Sequence, residues 1–255
     1  MSILPKLLAI YKEGGWETLT GYSPYHFGGS GDVPFTIFLN RTTKRLTGNH
    51  GLALQEIMFL EHFSSYLEPK RILVVGNAFG WSTLALALIF PQARVVGIDP
   101  MEDGNAVTNE LASRHGLNAV AVKGESPGDV ASICADHLNG PCDLVLIDAI
   151  HTSEAVVTDF EACLRCAHEG TVFVFHDAIN WGLLDGFQNV CTAHHMSGQV
   201  LTRTPSGMAI AYRNIPADLR TYIEAFADDP GLYHQYREWV LKQQAGKPSA
   251  APGKS

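Results

Sequence analysis

Four side chains able to move a proton or bind a metal lie in two short stretches of the chain: Asp148, His151, His176 and Asp177. Histidine exchanges a proton near neutral pH, and imidazole and carboxylate groups together can hold a divalent cation. Each stretch follows an apolar, strand-like run. His151, with Asp148 nearby, is therefore a candidate general base, and Asp148, His176 and Asp177 are a candidate metal site. The alternatives are a surface histidine, a packed His176 ring and a loop-capping Asp177.

A second group of residues is typical of nucleoside binding. The first strand-like run ends in VVGNAFGWS, where Gly76 and Gly80 let the backbone turn tightly and approach a ligand. The next run ends at Asp99, where a carboxylate can accept hydrogen bonds from both hydroxyls of a ribose. A dinucleotide site has a second glycine where this chain has Ala78, followed by Phe79. The turn therefore favours S-adenosylmethionine over NAD as the cofactor.

The elements that must position these residues alternate between strand-like and helix-like runs. The predicted strands are 71–75, 93–99, 119–124, 142–148, 171–177, 198–204 and 207–213, with helices near 51–67, 82–90, 104–115, 127–138, 153–167 and 183–195. Continuously apolar strands separated by helices indicate a parallel sheet that is covered on both faces. We therefore expect an α/β fold: a Rossmann-like, doubly wound, mostly parallel seven-stranded sheet with an antiparallel edge hairpin, its strands joined at Pro205-Ser206.

The run from Ile72 to Ala93 contains no charged residue, and its length would allow a membrane span. Glycines and Pro91 divide it into a strand, a turn and a helix that are each too short to span, so a buried core segment is favoured. The predicted organisation is an N-terminal helical and lid-like region at 1–68, irregular after an opening helix, and a cofactor-binding core at 69–215. A helical tail at 216–244 and a disordered end at 245–255 complete it.

The motifs VVGNAFGWSTLALAL, ARVVGIDP, LVLIDAIHTSEAVVTDFEACL and TVFVFHD resemble those of class I S-adenosylmethionine-dependent methyltransferases. The chain is similar to methyltransferase family 24 and to the catechol and caffeoyl-CoA O-methyltransferase group over about 70–213. The resemblance implies methylation of a small-molecule hydroxyl. It also implies these cofactor-binding residues: Gly76, Asn77, Phe79, Gly80, Ser82, Asp99, Glu125, Ser126 and Asp148. Within that set, Glu125 and Ser126 would contact adenine and Asp148 the methionine amine.

Two positions depart from the family's pattern. Many relatives have an acidic residue directly before the first glycine, where this chain has Val75. In metal-dependent relatives oxygen ligands occur at the position of His176, and hard cations such as Mg²⁺ prefer oxygen donors. A divalent metal therefore stays open as a second cofactor.

Composition limits the partners. Eighteen Lys and Arg against 26 Asp and Glu give a net charge of -8, the opposite of what binding to phosphates requires. We therefore expect no nucleic acid and no membrane as partner, a small-molecule acceptor, a cytoplasmic location and buried, reduced cysteines; a homo-oligomer stays open. The alternative functions are an NAD-linked oxidoreductase, N-methylation of a small molecule, and a non-catalytic S-adenosylmethionine-binding module.

Overall fold

The computed structural model describes residues 2–21 and 35–229, with positions 231–232, 234–235, 238–239 and 242 beyond them. The N-terminal part consists of helix α1 (Leu4–Glu13), strands β1 (Trp16–Leu19), β2 (Thr36–Asn40) and β3 (Leu46–Gly51), and helix α2 (Leu54–Phe63). The three strands form an antiparallel sheet in the order β1-β2-β3.

This small sheet corrects the prediction of an irregular chain after the opening helix. β3, with the sequence LTGNHG, has no alternation of apolar and polar residues that would mark it as a strand. Tertiary contacts stabilise the sheet instead: the ring of Phe38 on β2 is buried and lies 5.1 Å from that of Tyr11 and 6.0 Å from that of Trp81. Residues 22–34 of the predicted lid-like region lie outside the described residues.

The main sheet has seven strands, in the order β6-β5-β4-β7-β8-β10-β9. They are β4 (Arg71–Val75), β5 (Arg94–Asp99), β6 (Ala119–Lys123), β7 (Cys142–Ile147), β8 (Ala167–Phe175), β9 (Ser197–Val200) and β10 (Ala209–Tyr212). The first five pair in parallel, and β10 pairs antiparallel to both β8 and β9. The predicted sheet is confirmed, and its order reverses at β4, which is where such sheets bind ligands.

Six helices complete the described core: α3 (Trp81–Ile89), α4 (Glu102–Arg114), α5 (Val130–Leu138), α6 (Ser153–Leu164), α7 (Leu184–Ala193) and α8 (Ala217–Glu224). Alternate strand residues face opposite layers, so Ile72 and Val74 pack with α3 while Leu73 and Val75 pack with α5 and α6. Burial on both faces explains why the run from Ile72 carries no charge. In the described part of the chain, no helix is long and apolar enough to cross a membrane.

The edge hairpin and the tail differ in detail from their predictions. The strands β9 and β10 are joined by residues 201–208 rather than by Pro205-Ser206 alone, because this segment folds into turns closed by main-chain hydrogen bonds. In the tail, α8 ends at Glu224 and a turn follows at 225–226, but the described positions between 231 and 242 are again helical, in line with the predicted helical tail; residues 245–255 lie outside the described part. The cysteines are free thiols, and Cys134, Cys142 and Cys163 are buried as expected.

Candidate active site

A cavity of about 790 Å³ opens at the carboxyl ends of strands β4 to β8. The predicted site residues on its wall are Gly76, Asn77, Phe79, Ser82, Asp99, Glu125, Ser126, Asp148, His151, His176 and Asp177. Phe35 and Phe38 of the N-terminal part also line it. The structure therefore brings the nucleoside-type residues and the proton-transfer residues into one cavity; Gly80 lies outside its wall.

The two glycines of the turn after β4 are required by close packing. Gly76 has φ +94°, and a Cβ there would overlap the main-chain carbonyl oxygen of Asp148 at the end of β7. Gly80 has φ +80° and immediately precedes α3, and a Cβ there would overlap the side chain of Thr108 on α4. Gly76 thus lets two strand ends meet beneath the cavity, and Gly80 lets α4 pack against the turn.

Side chains within the turn mostly stabilise the turn itself. The Asn77 amide donates hydrogen bonds to Asn105 and Thr108, and its oxygen accepts one from Thr83. The Phe79 ring packs on Trp16 and Phe38, with centroids 5.3 and 5.8 Å apart. Asn77 and Phe79 therefore line the cavity, but protein contacts already hold their side chains. Ser82 is buried in the first turn of α3.

Asp99 connects the turn to the end of β5. Its Oδ2 accepts a hydrogen bond from the Ala78 main-chain N–H at 2.8 Å, and its Oδ1 accepts one from the Met101 N–H at 2.9 Å. A carboxylate offers about four acceptor sites, so these two bonds leave acceptor capacity toward the cavity. Asp99 can therefore hold the turn in place and still accept hydrogen bonds from a ligand.

At the side of the cavity beyond β6, the chain turns through Glu125 and Ser126. Glu125 is exposed, and its main-chain N–H donates to Asp129. Ser126 is half-buried and lies beside Asp159 of α6, a buried carboxyl group that sequence reasoning missed. Asp159 shares one helical face with Val156, Phe160 and Cys163, and an acid within such an apolar stripe is the signal that could have identified it.

The proton-transfer residues form a cluster at the ends of β7 and β8. The His151 Nε2 lies 3.2 Å from Asp177 Oδ2 and 3.5 Å from Asp148 Oδ1. Thr152 caps α6 by accepting a hydrogen bond from the Ala155 N–H. This cap fixes the main chain next to His151, the residue that precedes Thr152. Trp181 stacks on the His151 ring with centroids 5.0 Å apart and planes 14° from parallel. The imidazole is thus held beside two carboxylates.

His176 bridges this cluster to the N-terminal part. Its Nδ1 lies 3.1 Å from Asp148 Oδ1 and 3.2 Å from Asp177 Oδ2, and its Nε2 lies 3.0 Å from Glu56 Oε2. Burial disfavours a charged imidazole, but Asp148 and Glu56 outweigh it and raise the pKa of His176 well above its usual value. His176 is therefore an imidazolium that donates from both nitrogens.

The same contacts act on Asp148. Burial alone would raise the pKa of this carboxyl group, but the charge of His176 and the adjacent His151 hold it well below its usual range. Asp148 is therefore ionised at neutral pH and serves as a fixed negative charge rather than as an acid.

Glu56 is the second residue that sequence reasoning missed. It is fully buried on α2; its Oε1 accepts hydrogen bonds from the N–H and hydroxyl of Ser206, and its Oε2 accepts one from the Ala53 N–H. The sequence signal was again an acid on an apolar face, here shared with Leu60 and Phe63. Glu56 links α2, the end of β8 and the connection between β9 and β10.

One group in the described residues has the donor atoms of a metal site, namely Asp148, His151 and Asp177, whose ligand atoms all lie within 4.8 Å of one another. This set contains His151 where the sequence suggested His176. Both nitrogens of His176 face carboxylates, whereas the buried His151 Nε2 makes no hydrogen bond within the described part of the chain. Two oxygens and one nitrogen suit a transition metal better than Mg²⁺.

Comparison with known proteins gives one family match and several structures with a similar fold. Residues 73–178 match the family described as Methyltransferase domain. The structure is similar to cofactor-bound Rv0187 from MTB (TM-score 0.54, 22% identity, 65% of this chain and 83% of that chain). It is also similar to the O-methyltransferase from Bacillus cereus in complex with SAH, with a TM-score of 0.53 and 19% identity over 63% of this chain and 82% of that chain. A third similar structure is the O-methyltransferase TomG from Streptomyces achromogenes, involved in tomaymycin synthesis, in complex with SAM. Its TM-score is 0.50 and its identity 18%, over 64% of this chain and 80% of that chain.

No curated protein matches the chain in sequence. The solved structures are less than 25% identical to it, so they bear on the fold, whereas the family match covers the segment from β4 to the end of β8. That segment contains the glycine turn, Asp99, Asp148, His151 and His176. The chain therefore shares the α/β fold of these O-methyltransferase structures, and its residues 73–178 match the methyltransferase-domain family.

Proposed function

We propose that this protein transfers the methyl group of S-adenosylmethionine to a hydroxyl group of a small molecule. The observation that carries the proposal is the position of the His151 imidazole, beside Asp148 and Asp177 and in the same cavity as Asp99 and the glycine turn. Two similar structures, the O-methyltransferases from Bacillus cereus and Streptomyces achromogenes, are complexes with SAH and SAM.

The charges of the cavity support a cationic cofactor. Asp148 and Asp177 on its wall, with Glu56 behind them, provide three carboxylates around the single imidazolium of His176. The excess negative charge attracts the sulfonium of S-adenosylmethionine, because opposite charges interact strongly in a partly buried site. In our proposal Asp148 faces the methionine end, Asp99 the ribose, and Glu125 and Ser126 the adenine.

The chemistry requires one displacement and one proton transfer. The acceptor oxygen forms a bond to the methyl carbon while the carbon–sulfur bond breaks, and S-adenosylhomocysteine leaves as a neutral thioether. His151 takes the hydroxyl proton as a general base. Asp148 and Asp177 stabilise the resulting imidazolium, and the stacked Trp181 keeps the ring oriented.

A divalent metal is the alternative means of activating the hydroxyl. Asp148, His151 and Asp177 would hold it, and it would polarise the acceptor oxygen and lower the pKa of the hydroxyl. His176 argues against this role, because its positive charge already lies 3.1 Å from Asp148 and 3.2 Å from Asp177. We therefore favour His151 as the base.

The test is an acceptor screen. The purified protein is incubated with S-adenosylmethionine and a library of phenols, sugars and other alcohols, and S-adenosylhomocysteine release is measured together with a product mass increased by one methylene. Release that depends on an acceptor hydroxyl supports the proposal. Methylation confined to amines, or cofactor binding without turnover on any acceptor, would contradict it.

Chelation separates the two means of hydroxyl activation. We expect the activity to persist in excess EDTA, since His151 removes the proton without a metal. The measurement is the initial rate before and after treatment, with each divalent ion then added back singly. Loss of activity in EDTA and its return with one ion would instead assign Asp148, His151 and Asp177 as metal ligands.

Substitution of Asp99 tests the ribose assignment. We expect Asp99→Ala to weaken S-adenosylmethionine binding by about 1.5–3 kcal/mol, the range for hydrogen bonds to a charged group. Calorimetry gives the affinity. Asp143→Ala is the matched control, because Asp143 also accepts main-chain hydrogen bonds, from Lys70 and Arg71, but at the opposite end of the sheet. Equal affinities of the Asp99 and Asp143 variants would refute the assignment.

A further inference from the structure

Two large apolar side chains are exposed at the mouth of the cavity. The described part of the chain has six exposed large apolar side chains, and of these only Ile150, at 67%, and Trp181, at 59%, line the cavity. A single exposed apolar side chain is common on protein surfaces, whereas neighbouring ones beside a cavity mark a contact surface. The steps of the proposed reaction do not account for the exposure of Ile150 and Trp181.

Both residues adjoin the proposed base. Ile150 directly precedes His151 in the chain, and the ring of Trp181 stacks on the ring of His151. His151 covers one face of the indole, and the side chain is nevertheless 59% exposed, so its other face is open. An acceptor whose hydroxyl group lies at His151 is therefore within reach of both apolar side chains.

Main-chain hydrogen bonds fix the two positions. The Thr152 N–H donates to the Ile150 carbonyl oxygen at 3.0 Å, and the Thr152 side chain caps α6. The Trp181 N–H donates to the Asp177 carbonyl oxygen at 3.1 Å. Ile150 and Trp181 thus project from defined turns and form a preformed apolar surface, which lowers the entropic cost of binding a ligand.

The charges of the cavity restrict the rest of the acceptor. In the described part of the chain its wall contains no lysine or arginine, but it contains five carboxyl groups: Asp99, Glu125, Asp148, Asp159 and Asp177. Residues 22–34, outside that part, have no lysine or arginine either. The imidazolium of His176 is already paired with Glu56 and Asp148. A phosphate or carboxylate on the acceptor would therefore enter the cavity beside like charges and without a free basic partner.

We propose that the acceptor is an uncharged amphipathic alcohol or phenol, whose hydroxyl group reaches His151 while its apolar part leaves the cavity across Ile150 and Trp181. The inference rests on the proposed function and narrows its substrate class. Apolar carbon that moves from water onto these side chains contributes binding free energy in proportion to the area covered. A free sugar lacks the apolar part, and a phosphate ester carries the wrong charge.

A homologous series of phenols tests the apolar contact: 4-methyl-, 4-ethyl-, 4-propyl- and 4-butylphenol. They share one hydroxyl group and differ only in chain length. We measure kcat/KM for S-adenosylhomocysteine release and, by calorimetry, the affinity of each phenol for the protein saturated with S-adenosylhomocysteine. A fully buried methylene contributes a factor of about four, so a chain covered on one side should gain about twofold per methylene and about eightfold over the series.

Substitutions at the two side chains should reduce this dependence on chain length. We expect Ile150→Ser and Trp181→Ser each to lower the eightfold gain to about threefold or less. Trp181→Phe keeps an apolar ring and should retain most of the gain. The compared quantity is the ratio between two phenols within one variant, so an effect of Trp181 on the orientation of His151 cancels.

Two matched controls lie elsewhere on the surface. Leu46 and Met58 are also large apolar side chains, 59% and 48% exposed, but neither lines the cavity. Leu46→Ser and Met58→Ser should leave both the activity and the eightfold gain unchanged. Thermal unfolding checks that all variants are folded.

A carboxylate at the end of the chain tests the charge requirement. The probe 4-(4-hydroxyphenyl)butanoate has the same number of chain carbons as 4-butylphenol but ends in an anion. We expect the complex with S-adenosylhomocysteine to bind it about tenfold or more weakly than 4-butylphenol, because the cavity presents carboxylates to it.

Three results would overturn the inference: equal affinities across the four phenols, a gain that persists in both Ile150→Ser and Trp181→Ser, or equal binding of the butanoate and 4-butylphenol. A second copy of the chain covering the two side chains would give the first result together with a molecular mass that rises with concentration in light scattering. Binding that depends on chain length, without methylation of any acceptor in the screen, would instead refute the proposed function. The two failures are therefore distinguishable.

Discussion

Replacing His176 with phenylalanine is expected to destabilise the fold by about 3–5 kcal/mol, the range for removing one partner of a buried ion pair. The substitution leaves the carboxylates of Glu56, Asp148 and Asp177 without the cation between them. Glu56 is fully buried and His176 is 5% exposed, so water cannot replace the lost charge. Chemical denaturation with circular dichroism gives the free energy of unfolding.

His168 provides a matched control. Its Nε2 lies 2.9 Å from Asp143, a histidine–carboxylate contact like that of His176, but the His168 side chain is 40% exposed. We expect His168→Phe to cost less than about 1 kcal/mol, as is usual for exposed pairs. Similar costs for the two variants would mean that the His176 cluster does not stabilise the fold as a buried ion group.

Replacing His151 with asparagine should produce the largest loss of activity. We expect kcat to fall by about 10²–10⁴, the contribution of a positioned general base, while the affinity for S-adenosylhomocysteine stays within about twofold. The reason is that His151 acts on the acceptor proton and is not assigned to the cofactor. Single-turnover rates and calorimetry measure the two quantities separately.

His62→Asn is the control for this experiment, because His62 is an exposed histidine on α2 outside the cavity wall. It should keep full activity. If His151→Asn also keeps its activity within about threefold, His151 is not the base. If it loses cofactor affinity as much as rate, His151 instead binds the cofactor.

The sequence predicted the main sheet well because its signals are local. Strands such as Ile72–Val75 are apolar throughout, and glycines and polar residues mark where they end. The cavity followed from the same signals, since parallel strands present their carboxyl ends at one edge. The sequence therefore places Gly76, Asp99, Asp148 and His176 at the same edge of the sheet.

The missed features depend on contacts between distant residues. The N-terminal sheet has weak strand patterns, and its stability comes from Phe38 packing on Tyr11 and Trp81. Glu56 looked like an ordinary helical acid because its partners, His176 and Ser206, lie 120 and 150 residues away. For the same reason, the sequence suggested His176 rather than His151 as a ligand of the candidate metal site. Only the fold shows that Nε2 of His176 contacts Glu56.

The hydrogen bonds of Glu56 also affect when the cavity can form during folding. During synthesis, His176 and Ser206 are added to the nascent chain 120 and 150 residues after Glu56. Contacts over such separations require closure of long loops, which delays their formation during folding. We therefore expect the cavity to close in one of the last folding steps, so that chains released before residue 206 have no competent catalytic centre.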